Sequence, residues 1–132
     1  GIHENYPDRK SSEFIGLYTL PLNEFAVSYP APQENGNRCD VRWMSFSDGN
    51  VNLRIDGLQP LCFRAWPWSE EDIENAGHPH ELPERDFINV NIDLNIHGVG
   101  CNDGWGARTL DKYTIDGNKP YSYGFIMSCE EL

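Results

Sequence analysis

The stretch INVNIDLNIH, residues 88–97, alternates apolar and polar residues over ten positions. A period of two predicts a β-strand with one buried face, because successive side chains of a strand point to opposite sides of the sheet. The polar face is rich in amides and could meet solvent or pack on another domain through hydrogen bonds. The apolar face consists of Ile88, Val90, Ile92, Leu94 and Ile96.

Two Asp-Gly dipeptides lie between apolar runs and predict β-hairpins. Glycine accepts the positive φ of a tight turn, which makes this dipeptide a strong hairpin signal. The first dipeptide, at Asp48-Gly49, lies between the predicted strands 41–47 and 51–56. The second, at Asp116-Gly117, lies between the predicted strands 113–115 and 121–127.

A further strand, one short helix and an irregular segment complete the predicted elements. Residues 61–68 read as a strand, with Pro67 near its end and at the edge of a sheet. Ser69 can cap a helix that has three acids in its first turn, and Gly77 can end that helix. The first forty residues are irregular and punctuated by proline, as expected of a segment laid over another surface. The predicted fold class is all-β, an antiparallel β-sandwich with one short helix.

Length and charge limit the domain organisation and the partners. A chain of 132 residues suits a single domain over residues 1–132, or a fragment of one, since forty irregular residues are unusual in a self-contained domain. The net charge of −11 repels phosphate backbones and argues against nucleic acid as a partner. No apolar run reaches the length needed to span a bilayer, so no membrane partner is expected. The first ten residues also lack the layout of a signal peptide.

Cysteines and histidines do not form a recognisable metal or catalytic motif. The spacing of the cysteines fits neither a zinc site nor a disulfide-dense framework, so we expect reduced thiols, with one disulfide left open. His78-Pro79-His80 lacks a defined third ligand, which favours a surface loop over a metal site. No serine or cysteine lies in a nucleophile motif. The four cysteines are Cys39, Cys62, Cys101 and Cys129.

The many acids raise the question of a glycosidase-like pair of carboxylates. Nothing in the sequence places any two of them across a sugar. The stretch PQENGNR, residues 32–38, is dense in hydrogen-bonding groups, and a polar turn with a local Glu34–Arg38 ion pair is its simpler interpretation. The candidate acids are Glu34, Asp40, Asp93 and Asp103.

The glycine-rich stretch GVGCNDGWGAR, residues 98–108, carries one large aromatic residue, Trp105. A dinucleotide-binding fingerprint is disfavoured, because the third glycine has the wrong spacing and no helix follows. A simple turn that lets the strand leave the sheet explains the glycines but not the tryptophan. The functional alternative to this turn is an aromatic platform for a sugar, in which the indole packs on the apolar face of a pyranose. Asp103 and Asn102 could then bind sugar hydroxyls beside it.

Four stretches occur in an order that is more specific than any one of them: HENYPDR (residues 3–9), PxxENGxRC (residues 32–39), NID (residues 91–93) and GVGCNDGW (residues 98–105). Together they resemble the C-terminal end of the large bacterial β-galactosidases of glycoside hydrolase family 2. The resemblance covers nearly the whole chain. It implies a five-domain enzyme whose last domain is a large antiparallel β-sandwich similar to galactose mutarotase, and this chain matches only the later part of that domain.

The same resemblance implies how catalysis is divided. The family's catalytic glutamates and active-site magnesium lie on a central TIM barrel, so no catalytic residue and no cofactor are carried over to this chain. Magnesium and sodium are expected in the parent enzyme. The expected partners are the remaining domains of that enzyme, a galactoside substrate and further copies in a homo-oligomer. The compartment stays open, with the cytoplasm favoured over the periplasm.

The resemblance also implies a role for Trp105. In the family, the tryptophan at this position reaches the mouth of the active site and stacks on lactose, or on the glucose part after cleavage. Gly98 and Gly100 would let the loop leave the sandwich, and Asp103 would brace it. The expected function is therefore the C-terminal segment of a retaining β-galactosidase that supplies an aromatic platform and is inactive alone. The alternatives are a stand-alone carbohydrate-binding module and a purely structural interaction domain.

Overall fold

A computed structural model describes all 132 residues, and one long strand forms the centre of its sheet. We number the strands in chain order. Strand β2, Val51–Trp66, pairs antiparallel with all three other strands. Strand β1, Arg38–Ser47, runs along one edge of β2. Strands β3, Asn89–Asp93, and β4, Phe125–Glu131, divide the opposite edge between them.

The antiparallel all-β class is confirmed, and the helices are short. The sheet is a single layer, and the two-layered sandwich remains a prediction for a larger domain. No helix has both the length and the apolar content that a membrane crossing requires. Helices α1 and α2 span Leu22–Phe25 and Glu70–Asn75, and 3-10 turns span Pro79–Glu81 and Asp111–Tyr113.

The first predicted hairpin is confirmed, but the strand predicted after it is not separate. Residues 61–66 continue β2, so the two predicted strands 51–56 and 61–68 are one element of 16 residues. β1 and β3 flank β2 as far as Phe63, whereas Arg64–Trp66 pair with β3 alone, so the end of β2 has one open side. Pro67 lies just beyond the last residue of the strand, where no ladder hydrogen bond is required of it.

The predicted strand over residues 88–97 is shorter than its alternation indicates. It begins at Asn89 and ends at Asp93, and all five of its residues are half-buried. The reason lies in its partner. β3 pairs with Cys62–Trp66, the last residues of β2, while β4 pairs on the same edge with Val51–Gly57, the first residues of β2. Residues 58–61 of β2 pair with neither strand on this edge, and they include Pro60, which has no backbone N–H to donate to a longer β3.

The second predicted hairpin is wrong. Asp116 does form a local turn, since its carboxylate accepts the N–H of Asn118 at 3.0 Å. The flanking residues do not pair with each other: Tyr113 ends a 3-10 turn, and β4 begins only at Phe125. β4 pairs instead with Val51–Gly57 of β2, which offers a seven-residue ladder that a short local hairpin cannot match.

The predicted helix is confirmed with its cap. The Ser69 hydroxyl accepts the N–H of Asp72 at 3.0 Å, and the Asp72 carboxylate accepts the N–H of Ser69 at 2.9 Å. This reciprocal pair satisfies two of the donors that a helix leaves unpaired at its start. The helix ends at Asn75, two residues before Gly77.

The core is small and lies on one face of the sheet. Only 17 of the 132 residues are buried, so much of the sheet remains open. Phe25 of α1 packs over the core, with its ring centroid 5.2 Å from that of Phe63. The central cluster consists of Met44, Ile55, Leu61 and Phe63.

Candidate functional site

The first two of the four resembling stretches lie against each other. The Glu4 carboxylate accepts the N–H of Gly36 at 2.8 Å. Asn5 donates its N–H to the Asn37 carbonyl at 2.7 Å, and its side-chain oxygen accepts the N–H of Cys39 at 2.8 Å. Asn5 and Asn37 are fully buried. The N-terminal segment is thus held to the start of β1 by paired polar groups, which explains why amides rather than apolar residues occupy these positions.

The third stretch joins the second through an arginine of β2. Arg64 Nη1 lies 2.7 Å from the Asp93 carboxylate and 3.4 Å from the Glu34 carboxylate. The predicted local Glu34–Arg38 pair is therefore wrong. Arg38 instead donates to the carbonyls of Ile2 and Gly36, because the N-terminal segment brings these acceptors to it.

The candidate acids do not form a glycosidase-like pair. The Arg64 guanidinium contacts both Glu34 and Asp93. Asp40 pairs with Lys10 at 2.6 Å. Asp103 is engaged with main-chain amides. Each of the four candidate acids therefore has a structural partner.

The glycine-rich loop is anchored at its base by two N-terminal residues. Asp8 accepts the N–H of Val99 at 3.0 Å with one carboxylate oxygen and the N–H of Gly100 at 2.8 Å with the other. Arg9 donates to the Gly100 carbonyl and, at 3.0 Å, to the side-chain oxygen of Asn102. The first stretch thus connects the second and the fourth, and all four stretches form one cluster.

The anchoring carboxylate is held in its charged form. Only 4% of the Asp8 side chain is exposed. Burial by itself raises the pKa of a carboxyl, but the hydrogen bonds from Gly100 and Val99 and the neighbouring Arg9 outweigh it, so the pKa of Asp8 lies below its ordinary value. Asp8 therefore accepts both loop amides as an anion, which gives stronger hydrogen bonds than a neutral acceptor would.

Two glycines at the base of the loop are required by their surroundings. A Cβ at Gly98 would lie 2.9 Å from side-chain atoms of Asp8, Thr109 and Tyr113. Gly100 has a φ of +64°, and a Cβ there would lie 2.8 Å from the Thr109 hydroxyl. Any side chain at either position would push the loop off its anchor.

The tip of the loop presents Trp105 to solvent. Its side chain packs on no other element, and the residue is 94% exposed. The main chain beneath it is fixed by Asp103, whose Oδ1 accepts the N–H of Trp105 at 2.8 Å and the N–H of Ala107 at 3.1 Å. Leaving a whole indole in water forgoes the stabilisation that its burial would provide. A braced loop that holds an indole outward is therefore suited to contact something outside this chain.

The three predicted site residues lie together on this loop, and two of them have free polar atoms. Asn102 uses its side-chain oxygen for Arg9, which leaves its Nδ2 without a partner in the chain. Asp103 uses Oδ1 for the loop amides, which leaves Oδ2 without one. Asp8 and Arg9 were missed as supports of the site. The only signal for them was their place in the HENYPDR stretch, because about ninety residues separate them from the loop and sequence patterns carry no distance information.

No group of three or more histidine, cysteine, aspartate or glutamate side chains lies close enough to hold a metal ion. The residues of this chain thus do not offer the carboxylate cluster that magnesium prefers. His78 directly precedes the 3-10 turn Pro79–Glu81, with its Nδ1 3.4 Å from the Glu81 carboxylate. All four cysteines are free thiols.

Comparison of the sequence with those of known proteins identifies a family. A family model described as "Beta galactosidase small chain" matches residues 1–127. A β-galactosidase of Priestia megaterium is 35% identical over 96% of this chain, and one of Pseudoalteromonas haloplanktis is 37% identical over 97% of it. A β-galactosidase of Streptococcus thermophilus is 33% identical over 96% of the chain. The chain spans only 12% of the length of the first two relatives and 13% of the third.

Proposed function

The chain belongs to the β-galactosidase small chain family, and from this premise we propose that it is the C-terminal segment of a retaining β-galactosidase of glycoside hydrolase family 2. The parent enzyme hydrolyses terminal β-D-galactosides such as lactose. This segment contributes Trp105 as an aromatic platform at the substrate pocket and has no hydrolytic activity alone. Magnesium and sodium belong to the parent enzyme.

The observation that carries the proposal is the exposed indole on an anchored loop. Trp105 is 94% exposed, while the main chain around it is held by Asp103, and the loop base by Asp8 and Arg9. An anchored indole can stack on a sugar ring with little loss of conformational entropy on binding. The free polar atoms of Asn102 and Asp103 stand beside it as partners for hydroxyl groups.

The contacts of the four candidate acids support the proposal that the segment alone is inactive. A retaining glycosidase needs two carboxylates about 5–5.5 Å apart around the scissile bond. The candidate acids of this chain are instead engaged with Arg64, Lys10 and main-chain amides. Catalysis therefore belongs to the remaining domains of the parent enzyme.

An open groove supports those domains as partners. The groove lies between residues 15–22 and strand β1, and its volume is about 980 Å³. Apolar side chains left open in this way favour association with another surface. We assign the cover to the remaining polypeptide of the parent enzyme, which assembles as a homo-oligomer. The lining includes Ile15, Leu17, Val41, Trp43 and Phe46.

The stacking role is tested by Trp105→Ala in the full-length enzyme. Stacking on a ring contributes on the order of 1 kcal/mol, so we expect kcat/KM for lactose to fall several-fold to about tenfold. Methyl β-galactoside has a small leaving group that cannot cover the indole, and its kcat/KM should change much less. Steady-state kinetics with both substrates gives the comparison.

Two further variants separate stacking from damage to the loop. Trp105→Phe keeps a flat ring and should recover most of the activity on lactose. Val99→Ala shortens another exposed apolar side chain of the same loop and should leave both substrates unaffected. An unchanged Michaelis constant for lactose in Trp105→Ala would remove Trp105 from the site.

A second candidate function, a stand-alone carbohydrate-binding module, is favoured by the same exposed indole because it requires no catalytic barrel. It predicts that this 132-residue chain binds sugar without other domains. Titration with galactose and lactose to millimolar concentration, followed by tryptophan fluorescence, would show a saturable change in this chain and none in Trp105→Ala. The absence of a response in the unchanged chain would reject the module.

A further inference from the structure

Two cysteines distant in sequence meet inside the sheet. Cys39 of β1 and Cys62 of β2 have their sulfur atoms 3.4 Å apart. Continuing the Arg38↔Phe63 pair by one residue places these two cysteines directly opposite each other on neighbouring strands. Both are nearly buried, with exposed fractions of 8% and 3%. The two sulfurs therefore form a buried cross-strand pair whose positions are set by the two strands.

The backbone at this pair is irregular in a way that favours the contact. The register between β1 and β2 shifts by one residue between Arg38 and Val41. Asp40, next to Cys39, has a φ of +59°, a left-handed conformation that is uncommon for a residue other than glycine. Such a bulge re-aims the side chains beside it.

The surroundings distinguish the two thiols. The Cys39 sulfur accepts hydrogen bonds from the Cys62 thiol and, at 3.3 Å, from the Asn37 side-chain amide. The hydrogen bond from Cys62 lowers the pKa of the Cys39 thiol; Asn37 and Lys10 act in the same direction, and burial opposes them. For the Cys62 thiol, the same hydrogen bond and burial both raise the pKa. Of the two thiols, Cys39 is therefore the one that ionises more readily, and Cys62 is the one that keeps its proton.

The pair also borders open space. Cys39 and Cys62 line a cavity of about 450 Å³ together with Lys10 and Lys112. A small neutral oxidant such as a peroxide fits a cavity of this size. Asp40 also lines the cavity and pairs with Lys10, which leaves the Lys112 ammonium as the unpaired positive charge of the lining.

We propose that Cys39 and Cys62 are a reversible oxidation site, which hydrogen peroxide converts into a disulfide that joins β1 to β2. The Cys39 thiolate attacks one peroxide oxygen, the O–O bond breaks, and hydroxide leaves and takes up a proton as water. This step forms a sulfenic acid on Cys39. The Cys62 sulfur then attacks the Cys39 sulfur, the S–O bond breaks, and a second water leaves with the Cys62 proton. In total two thiols are oxidised to one disulfide, and one peroxide is reduced to two waters.

The proposal is tested on the intact polypeptide that carries this chain, treated with hydrogen peroxide under native conditions. The reaction is stopped in denaturant with N-ethylmaleimide, which labels every remaining thiol, and the protein is digested with trypsin. Cleavage after arginine isolates the two cysteines in CDVR, residues 39–42, and IDGLQPLCFR, residues 55–64. We expect loss of both labelled peptides and the appearance of a linked peptide that lacks two hydrogens, and dithiothreitol should reverse both changes.

The two exposed cysteines provide the matched control. Cys101 and Cys129 are exposed free thiols, and Cys101→Ser combined with Cys129→Ser leaves the buried pair untouched. This double variant should still form the linked peptide, and adding Cys62→Ser should abolish it. Retention of both labelled peptides after peroxide, or oxidation of Cys39 to sulfinic acid without a link to Cys62, would overturn the proposal.

Discussion

Asp8 is the residue on which the position of the tryptophan loop most depends. It is nearly buried, and its two oxygens accept the consecutive amides of Val99 and Gly100. If this carboxylate were removed, the amides of Val99 and Gly100 would both lose their hydrogen-bond acceptor. An unsatisfied amide of this kind costs about 1–3 kcal/mol. A residue that touches no ligand thus controls where the indole stands.

We expect Asp8→Asn to lower the free energy of unfolding at neutral pH by about 1–3 kcal/mol, because the amide offers one oxygen in place of two charged ones. The pKa of Asp8 in the folded chain lies below its ordinary value of 3.8. Its contribution is therefore complete above that value and is lost as the pH falls through the folded value. Denaturant unfolding from pH 7 to pH 3 should show the difference between the two proteins shrink at the acid end.

Glu74→Gln serves as the control, since Glu74 is an exposed acid of α2. Its effect on the unfolding free energy should stay within about 0.5 kcal/mol at every pH. A constant difference between Asp8→Asn and the unchanged protein across the whole pH range would show that the Asp8 charge is not what anchors the loop.

At the scale of elements, β2 decides where every other strand ends. β1 occupies one edge, while β3 and β4 share the other and meet different parts of it. β3 stops at Asp93, opposite Cys62, and β4 starts at Phe125, opposite Gly57. Local alternation says which residues suit a strand, but the length of each strand is set by its partner.

Helix α2 depends on its cap rather than on length. It has six residues, too few for a helix that is stable by itself. We expect Ser69→Ala to lower the free energy of unfolding by about 1 kcal/mol, because the Asp72 N–H loses its acceptor. Ser12→Ala, at an exposed position of the irregular N-terminal segment, should have almost no effect in the same thermal unfolding experiment. Equal shifts in Tm for the two variants would contradict a capping role.

At the scale of the whole molecule, the chain leaves apolar surface uncovered. Few residues are buried, and the groove beside β1 is lined by large apolar side chains. A surface of this kind suits a segment that packs against the rest of a larger protein. It also agrees with the small fraction of each relative that the chain spans.

An aspartate substitution in the groove tests whether the rest of the parent polypeptide covers it. In the intact polypeptide we expect Leu17→Asp to lower the free energy of unfolding by about 1–3 kcal/mol, since a carboxylate would be buried against the covering surface. Leu58→Asp is matched, because Leu17 and Leu58 are comparably exposed in this chain and Leu58 lies outside the groove lining. Its effect should stay within about 0.5 kcal/mol. Similar effects of the two variants in denaturant unfolding would argue against a covered groove.

The sequence by itself determined the all-β class, the first hairpin, the capped helix and the loop that bears Trp105. These features depend on interactions between residues close in the chain: a glycine in a turn, a serine three residues before its amide partner, a two-residue alternation. The tertiary structure decided where β3 ends, that β4 pairs with β2, and that Asp8 holds the loop. It alone showed that Arg64 stands between Glu34 and Asp93 and that Cys39 meets Cys62. Contacts of this second kind join residues separated by tens of positions in the sequence. Local sequence patterns contain no information about the spatial distance between such residues.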